Sequence, residues 1–450
     1  MIIKGFKIIT IVFRKSLLTS LYQREESPSL IKRGKGRFSN QYQFDFETLN
    51  KKEAGFSLVE LMITMVVFVF FIVAASQVFT GLLTQFKQQS KLAETNIEGI
   101  VGLEMLRQDV EHAGYGLPWY GLVAYSESAT DPYGFNDSTT TAAPRAVLSE
   151  NSATFIGPNS IFDGSDYLVI KAVNVGRNDA CNKWTNLKAA PFTSPFNPRK
   201  WTPALTPPQG EDLESTDRVI VLRPGSTDAN GRTLVVDGAN DFTTFSDVTS
   251  HPSPNPWPPA DTSETRIVYG VDPDTDLRMP FNRADYVVRR FDSGGTNITP
   301  GRCAPNTGML EKATVNQGNG AFSYLPLLDC VADMQVIYAL DNNEDGDFED
   351  GAGTPADAYS DDITTAPLTA QQIRTRVKQV RVYILAHEGQ RDVNHTFNNF
   401  TGACATCIMV GEFGLGRDFN LSTITPGNTE YLNYRWKIYT IVLKPTNLLR

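Results

Sequence analysis

The chain has 450 residues, 41% hydrophobic and 20% charged, enough for one large or two ordinary folded domains. Its formal charge of −9 is unevenly spread: residues 1–55 hold 11 Lys/Arg against 5 Asp/Glu, and the remainder holds 30 against 45. An acidic body lacks the basic surface that phosphate backbones require, so no nucleic acid partner is expected, and four histidines without an HExxH argue against a His-built metal centre.

Residues 1–50 show no domain-like pattern beyond a short basic-apolar start, MIIKGFKIITIVF. The strongest feature follows. From Phe56 to Leu83, 28 residues, the only charged side chain is Glu60. A helix needs roughly 20 apolar residues to cross a membrane. This stretch is apolar all round, which suits lipid or a deeply buried bundle. A plain membrane anchor explains the hydrophobicity but not Glu60, because an unpaired carboxylate in hydrocarbon costs about 2–3 kcal/mol or more. Glu60 therefore calls for a partner.

Beyond Leu83 the pattern turns amphipathic: Ala93, Ile97, Ile100, Leu103, Leu106, Val110 and Ala113 recur at steps of three or four. The run AGYGLP at 113–118 then supplies glycine at the C-cap and proline beyond it. One helix from Phe56 to Ala113 would be about 87 Å long at 1.5 Å per residue. Gly81, Gly99 and Gly102 are expected to bend or loosen it, and Arg107 and Asp109 to be surface or capping groups.

Past Pro118 the chain reads as β-structure, with segments rich in Val, Ile and Tyr bounded by Gly, Pro, Asp and Asn. These are Asp166–Val173, Asp217–Leu222, Arg232–Val236, Thr265–Tyr269, Tyr286–Arg290, Met334–Leu340, Val377–Ala386 and Trp436–Lys444. Residues 190–210 and 250–260 are Pro-rich and read as loops. The expected fold class is α+β: a long N-terminal helix packed on a mostly antiparallel sheet, enlarged by loop-rich insertions.

Two local features stand out in this region. Asp341, Asn343, Asp345, Gly346 and Asp347 fit the opening of a calcium loop, in which alternating oxygen ligands surround a sharp glycine turn. The twelfth position is Ala352 instead of a bidentate Glu, so Glu349, Asp350 or Asp357 would have to complete the shell. The competing reading is a solvated acidic hairpin. The second feature is the set of five cysteines, Cys181, Cys303, Cys330, Cys404 and Cys407. In an exported chain they favour disulfides with one left over. Cys404 and Cys407 are close enough for a small-loop bridge. No second CxxC completes a zinc site and no βαβ setting suggests redox chemistry. The spacing alone leaves the connectivity open.

Gly55, Phe56, Ser57, Leu58, Val59, Glu60 and Leu61 together resemble the N-terminal signature of type IV prepilins and pseudopilins. The resemblance implies that a prepilin peptidase cuts between Gly55 and Phe56 and that the new amine on Phe56 is N-methylated. It gives Glu60 its partner, the N-terminal amine of a neighbouring subunit, so that Phe56 and Glu60 become assembly residues. The phrase GLEMLRQDVEHAGYGLP at 102–118 is similar to the end of the long helix in PilW-type minor pilins. That resemblance implies a subunit anchored in the inner membrane with a periplasmic head. Its partners would be other minor pilins and the major pilin, and it would prime pilus assembly and sit at the tip. It also favours a Cys303–Cys330 bridge. The expected divisions are a leader over 1–55, an assembly helix over 56–83, an amphipathic half over 84–115 and a β-rich head over 116–450. A 55-residue leader is long for this class, and translation is expected to start near Leu49, leaving a leader of about 49–55. The competing functions are a minor pseudopilin of a type II secretion system and a surface adhesin; no GxSxG, P-loop or acid/base set points to an enzyme. If the 341–352 loop holds calcium, added calcium raises the melting temperature of the head over that in EGTA; an unchanged value leaves the loop a turn.

Overall fold

The structure is a computed structural model that describes residues 55, 57–131, 133–137, 142–151, 153, 163–188, 212–225, 231–249, 255–351, 353–364 and 367–448, with backbone alone at 84, 88 and 91–98. The leader 1–54, Phe56, the Ala93 and Ile97 side chains, the loops 190–210 and 250–254, and Ala352 lie outside the described residues. Two compact units divide the chain, one ending at Ala74 and one running Ala75–Arg450.

Helix α1 spans Leu58–Glu111, 54 residues. No glycine or proline interrupts it before Gly81, so its backbone groups are satisfied within the segment, the condition a spanning helix must meet. Two of its hydroxyls are satisfied within the helix as well: Thr64 Oγ1 donates to the Leu61 carbonyl at 2.9 Å, and Thr80 Oγ1 to that of Ser76 at 3.0 Å.

The second unit is mostly β. In chain order it contains β1 (Val147–Glu150), β2 (Tyr167–Ala172), β3 (Trp184–Lys188), β4 (Arg218–Pro224), β5 (Arg232–Leu234), β6 (Thr243–Thr244), the short helix α2 (Phe245–Thr249), β7 (Thr265–Asp272), β8 (Asn282–Arg289), β9 (Gly308–Val315), β10 (Phe322–Leu340) and β11 (Ala358–Ser360). Helix α3 (Ala370–Arg376) leads into β12 (Val377–Glu388), followed by β13 (Cys407–Val410), β14 (Arg417–Asn420) and β15 (Arg435–Leu443). The main sheet runs β1-β2-β8-β9-β10-β12-β15, with β11 on β10; a second sheet runs β3-β7-β4-β5 with β6 on β4; β13 and β14 form a small hairpin. Every ladder between these strands is antiparallel. The fold is α+β, as the sequence pattern predicts. The strands read at 217–222, 232–236 and 265–269 do not join the main sheet, however. They build the second sheet over its own small core of Leu187, Val219, Val221, Val268 and Trp257.

The buried face of α1 differs from the simple stripe in the sequence. Leu103, Leu106, Val110 and Ala113 are buried as their spacing predicts, but Ile100 is 63% exposed. One turn earlier the contact passes through glycine instead. A Cβ on Gly102 would lie 2.0 Å from the Leu327 carbonyl oxygen, and one on Gly99 would lie 2.8 Å from Leu328 Cδ1. Both glycines are thus points of closest approach, not the loosening sites expected. The strand they meet, β10, is irregular there, with register shifts between Pro326 and Leu328 and between Leu328 and Val331. A bulge is also where a strand tolerates proline. At its C-terminus α1 is stopped by Gly114 (φ 81°), whose amide donates to the Lys171 carbonyl at 3.0 Å.

We expect Gly102→Ala to cost about 1–3 kcal/mol of overpacking in denaturant unfolding of the detergent-solubilised chain. Gly81→Ala, with nothing within 4 Å of the added Cβ, should be neutral or slightly stabilising.

Candidate assembly site

The helix begins where the processing motif ends. Gly55 is exposed, Phe56 lies outside the described residues, and the Ser57 carbonyl accepts the amide of Leu61 at 3.1 Å, the first bond of α1. Glu60 therefore stands in the first helical turn. A carboxylate there meets the positive end of the helix dipole, worth about 0.3–1 kcal/mol. Among the described residues no cationic side chain pairs with it. Around it Leu58, Val59, Leu61, Met62 and Ile63 are exposed, and so is every described side chain onward to Phe86. The stretch Leu58–Lys87 is long and apolar enough to cross a membrane.

At the other end of α1 the structure corrects the sequence reading of Asp109. Arg107 is a surface group, paired with Glu104 at 3.4 Å with both side chains about half exposed. Asp109 is not: it is 8% exposed, accepts a short hydrogen bond from the Tyr286 hydroxyl, and meets Lys312 Nζ at 2.5 Å. Tyr286 on β8 and Lys312 on β9 are direct cross-strand partners, so two neighbouring strands present one donor pair to one helical carboxylate. Burial pushes the Asp109 carboxyl above its ordinary range, and the Lys312 charge opposes that. A second buried network lies beyond: Lys171 Nζ on β2 meets Glu127 at 2.8 Å and Asp137 at 2.6 Å, while Arg283 on β8 bonds Asp285 at 2.7 Å and Glu127 at 3.3 Å. Nothing local in the sequence announces these sets, because their members lie far apart in the chain.

Cys303 and Cys330 are joined by a disulfide, and so are Cys404 and Cys407; Cys181 is free and buried, its thiol pushed up to about 11 by burial. His387 lies against the first bridge, with ligand atoms of the three residues within 4.8 Å of one another. The two sulfurs are bonded to each other, and His387 Nε2 accepts the Ala304 amide at 2.8 Å. Burial drives the imidazole down to about 3.

In the acidic loop, Asp341 is buried and its Oδ2 already meets Lys378 Nζ at 3.1 Å and the Gly346 amide at 3.0 Å. Asn343 and Asp345 bond each other, and the Asp357 carboxylate accepts the amides of Asn342 and Glu349. Asp345, Asp347 and Glu349 are exposed. Among the described residues the loop's carboxylates do not bring three ligand atoms within 4.8 Å of one another.

Residues 50–76 match the prokaryotic N-terminal methylation motif, a type IV pilin-like signal. No curated protein and no solved structure matches the chain. The motif supports a type IV pilin or pseudopilin family. It implies processing by prepilin peptidase and association with pilus components. With the single long apolar helix among the described residues it suits a protein anchored in the membrane by one pass.

Two outcomes follow from the buried charges. Asp109→Ala leaves Lys312 buried without its counter-ion and should cost about 3–5 kcal/mol in denaturant unfolding, with a smaller loss for Asp109→Asn. Neutral His387 is protonated more readily in the unfolded chain, so its contribution is complete above about pH 6.5 and is lost as pH falls toward 3. His387→Gln should flatten the pH dependence of stability across that window, whatever its absolute stability.

Proposed function

We propose that the chain is a minor pilin, most like the PilW type, that primes type IV pilus assembly and sits at the pilus tip. A prepilin peptidase removes the leader ahead of Phe56, and the new amine is methylated. Residues 56–83 hold the subunit in the inner membrane before assembly and pack among other subunits afterwards. Residues 84–115 carry the helix onto the head, which faces the periplasm and then the cell exterior. The observation that supports this most is Glu60: a lone carboxylate on an exposed apolar helix, with no internal counter-ion among the described residues. The amine on Phe56 of an adjoining subunit would neutralise it, and a wrong register would leave both charges unpaired in an apolar environment. Glu60 thus selects the axial position at which neighbouring helices settle. The phrase at 102–118 and the large head favour the pilus over a secretion machine.

Deleting the gene should reduce the number of pili, and complementation with Glu60→Ala should fail while leaving the protein processed and in the membrane. A mutant with normal pili but failed protein secretion would instead assign the subunit to a secretion system. Normal piliation by Glu60→Ala would remove the carboxylate from assembly.

A further inference from the structure

Next to the end of α1 lies a cluster of charge that the assembly reading does not use. Trp119 follows the helix stop, and its amide donates to the Arg232 carbonyl at 2.9 Å, which holds it beside β5. The Arg232 guanidinium stacks on the indole with its carbon 4.9 Å from the ring centre, and the Arg374 guanidinium, from α3, stacks on the same ring at 4.5 Å. Two cations therefore share one aromatic platform.

Neither has a carboxylate partner among the described residues. Arg232 Nη1 donates to the Gly114 carbonyl at 2.8 Å, which caps the helix end. Arg374 makes no hydrogen bond or ion pair among the described residues. The contrast with its surroundings is sharp: Arg376, two residues on, is paired with Glu344 at 2.7 Å, and Arg381 with Glu412 at 2.9 Å. Acidic groups outnumber basic ones in this chain, 50 to 41, so two arginines without a carboxylate partner among the described residues are not a default of composition. Burial and the neighbouring Arg232 charge pull the Arg374 guanidinium down to about 10. The π face of Trp119 offsets part of that cost. It accepts nothing from the in-plane N–H donors, which are fixed in a fork that matches a two-oxygen anion.

We propose that Trp119, Arg232 and Arg374 form a binding site for an oxyanion, a carboxylate or phosphate group held by the guanidiniums beside the indole. Arg374 supplies donors that have no acceptor among the described residues. Arg232 adds charge while holding the helix end, and Trp119 sets the spacing of the two. The group is carried either by a free ion or by an acidic sugar. This inference goes beyond the assembly reading and stands without it.

The test uses the full chain in neutral detergent, titrated with inorganic phosphate in one arm and with a uronic-acid oligosaccharide in the other, at ionic strength matched with chloride. Saturable binding in at least one arm is expected, with a rise in melting temperature that follows ligand concentration. Arg374→Met, which keeps the stacking surface, should weaken binding by about tenfold or more and should be no less stable than the native chain without ligand, because a like-charge contact is gone. Arg374→Lys should retain part of the affinity, which separates loss of charge from loss of folding. Arg107→Met, on the exposed helix surface, should change nothing. Binding in the phosphate arm alone assigns a free ion, and binding in the sugar arm alone assigns an acidic carbohydrate. Absence of binding in both arms, or equal binding by the native chain and Arg374→Met, overturns the proposal.

Discussion

Asp109 brings a negative charge into the junction of helix and sheet, where it would be prohibitive without Lys312 and Tyr286. Those two residues face each other on β8 and β9, and β9 in turn pairs with β10 in the main sheet. A helix rotated by one residue, or slid by one turn, would bury the carboxylate without its donors. The apolar contacts of Leu103, Leu106 and Val110 are individually tolerant of such shifts; the ion pair is not. It therefore fixes the register of the last turns of α1 on the sheet. The glycine contacts at Gly99 and Gly102 then follow from that register, since only residues without a side chain fit where the helix crosses the bulged strand.

The same helix carries two carboxylates with opposite circumstances. Asp109 is buried and neutralised within its own chain, while Glu60 is exposed on an apolar surface and has no counter-ion among the described residues. In a hydrocarbon or densely packed surrounding the second condition does not persist, because the desolvation cost has to be offset by an external charge. One end of α1 is thus complete in the single chain, and on the proposed assembly reading the other is completed by a partner's charge. That asymmetry is what a subunit built for assembly requires.

Much of this was legible in the sequence, for identifiable reasons. Glu60 stood out because 27 uncharged residues surround it over the span 56–83. Strands β2, β4, β12 and β15 were legible because runs of Val, Ile, Tyr and Leu have few alternatives to β-structure. Strand β9 was not legible because it carries Glu311 and Lys312, charges that a local pattern assigns to solvent, whereas both are buried and paired with Arg289 and Asp109. Strand β8 begins at Asn282, before the expected Tyr286, because Arg283 and Asp285 neutralise each other inside the sheet, a pairing that polarity alone does not reveal. Single-sequence patterns treat charge as exposure, and this head breaks that rule in its central strands. The division into two sheets was also hidden, since it depends on pairings such as β4 with β7 that no local pattern encodes.

The central claim is that a cut ahead of Phe56 creates an amine that pairs with Glu60 of a neighbour. Its most direct test is the N-terminus of the protein extracted from cells that make the machinery. The account predicts a chain beginning with N-methylated Phe56, and a chain beginning at Ser57 or retaining any residue before Phe56 would contradict it.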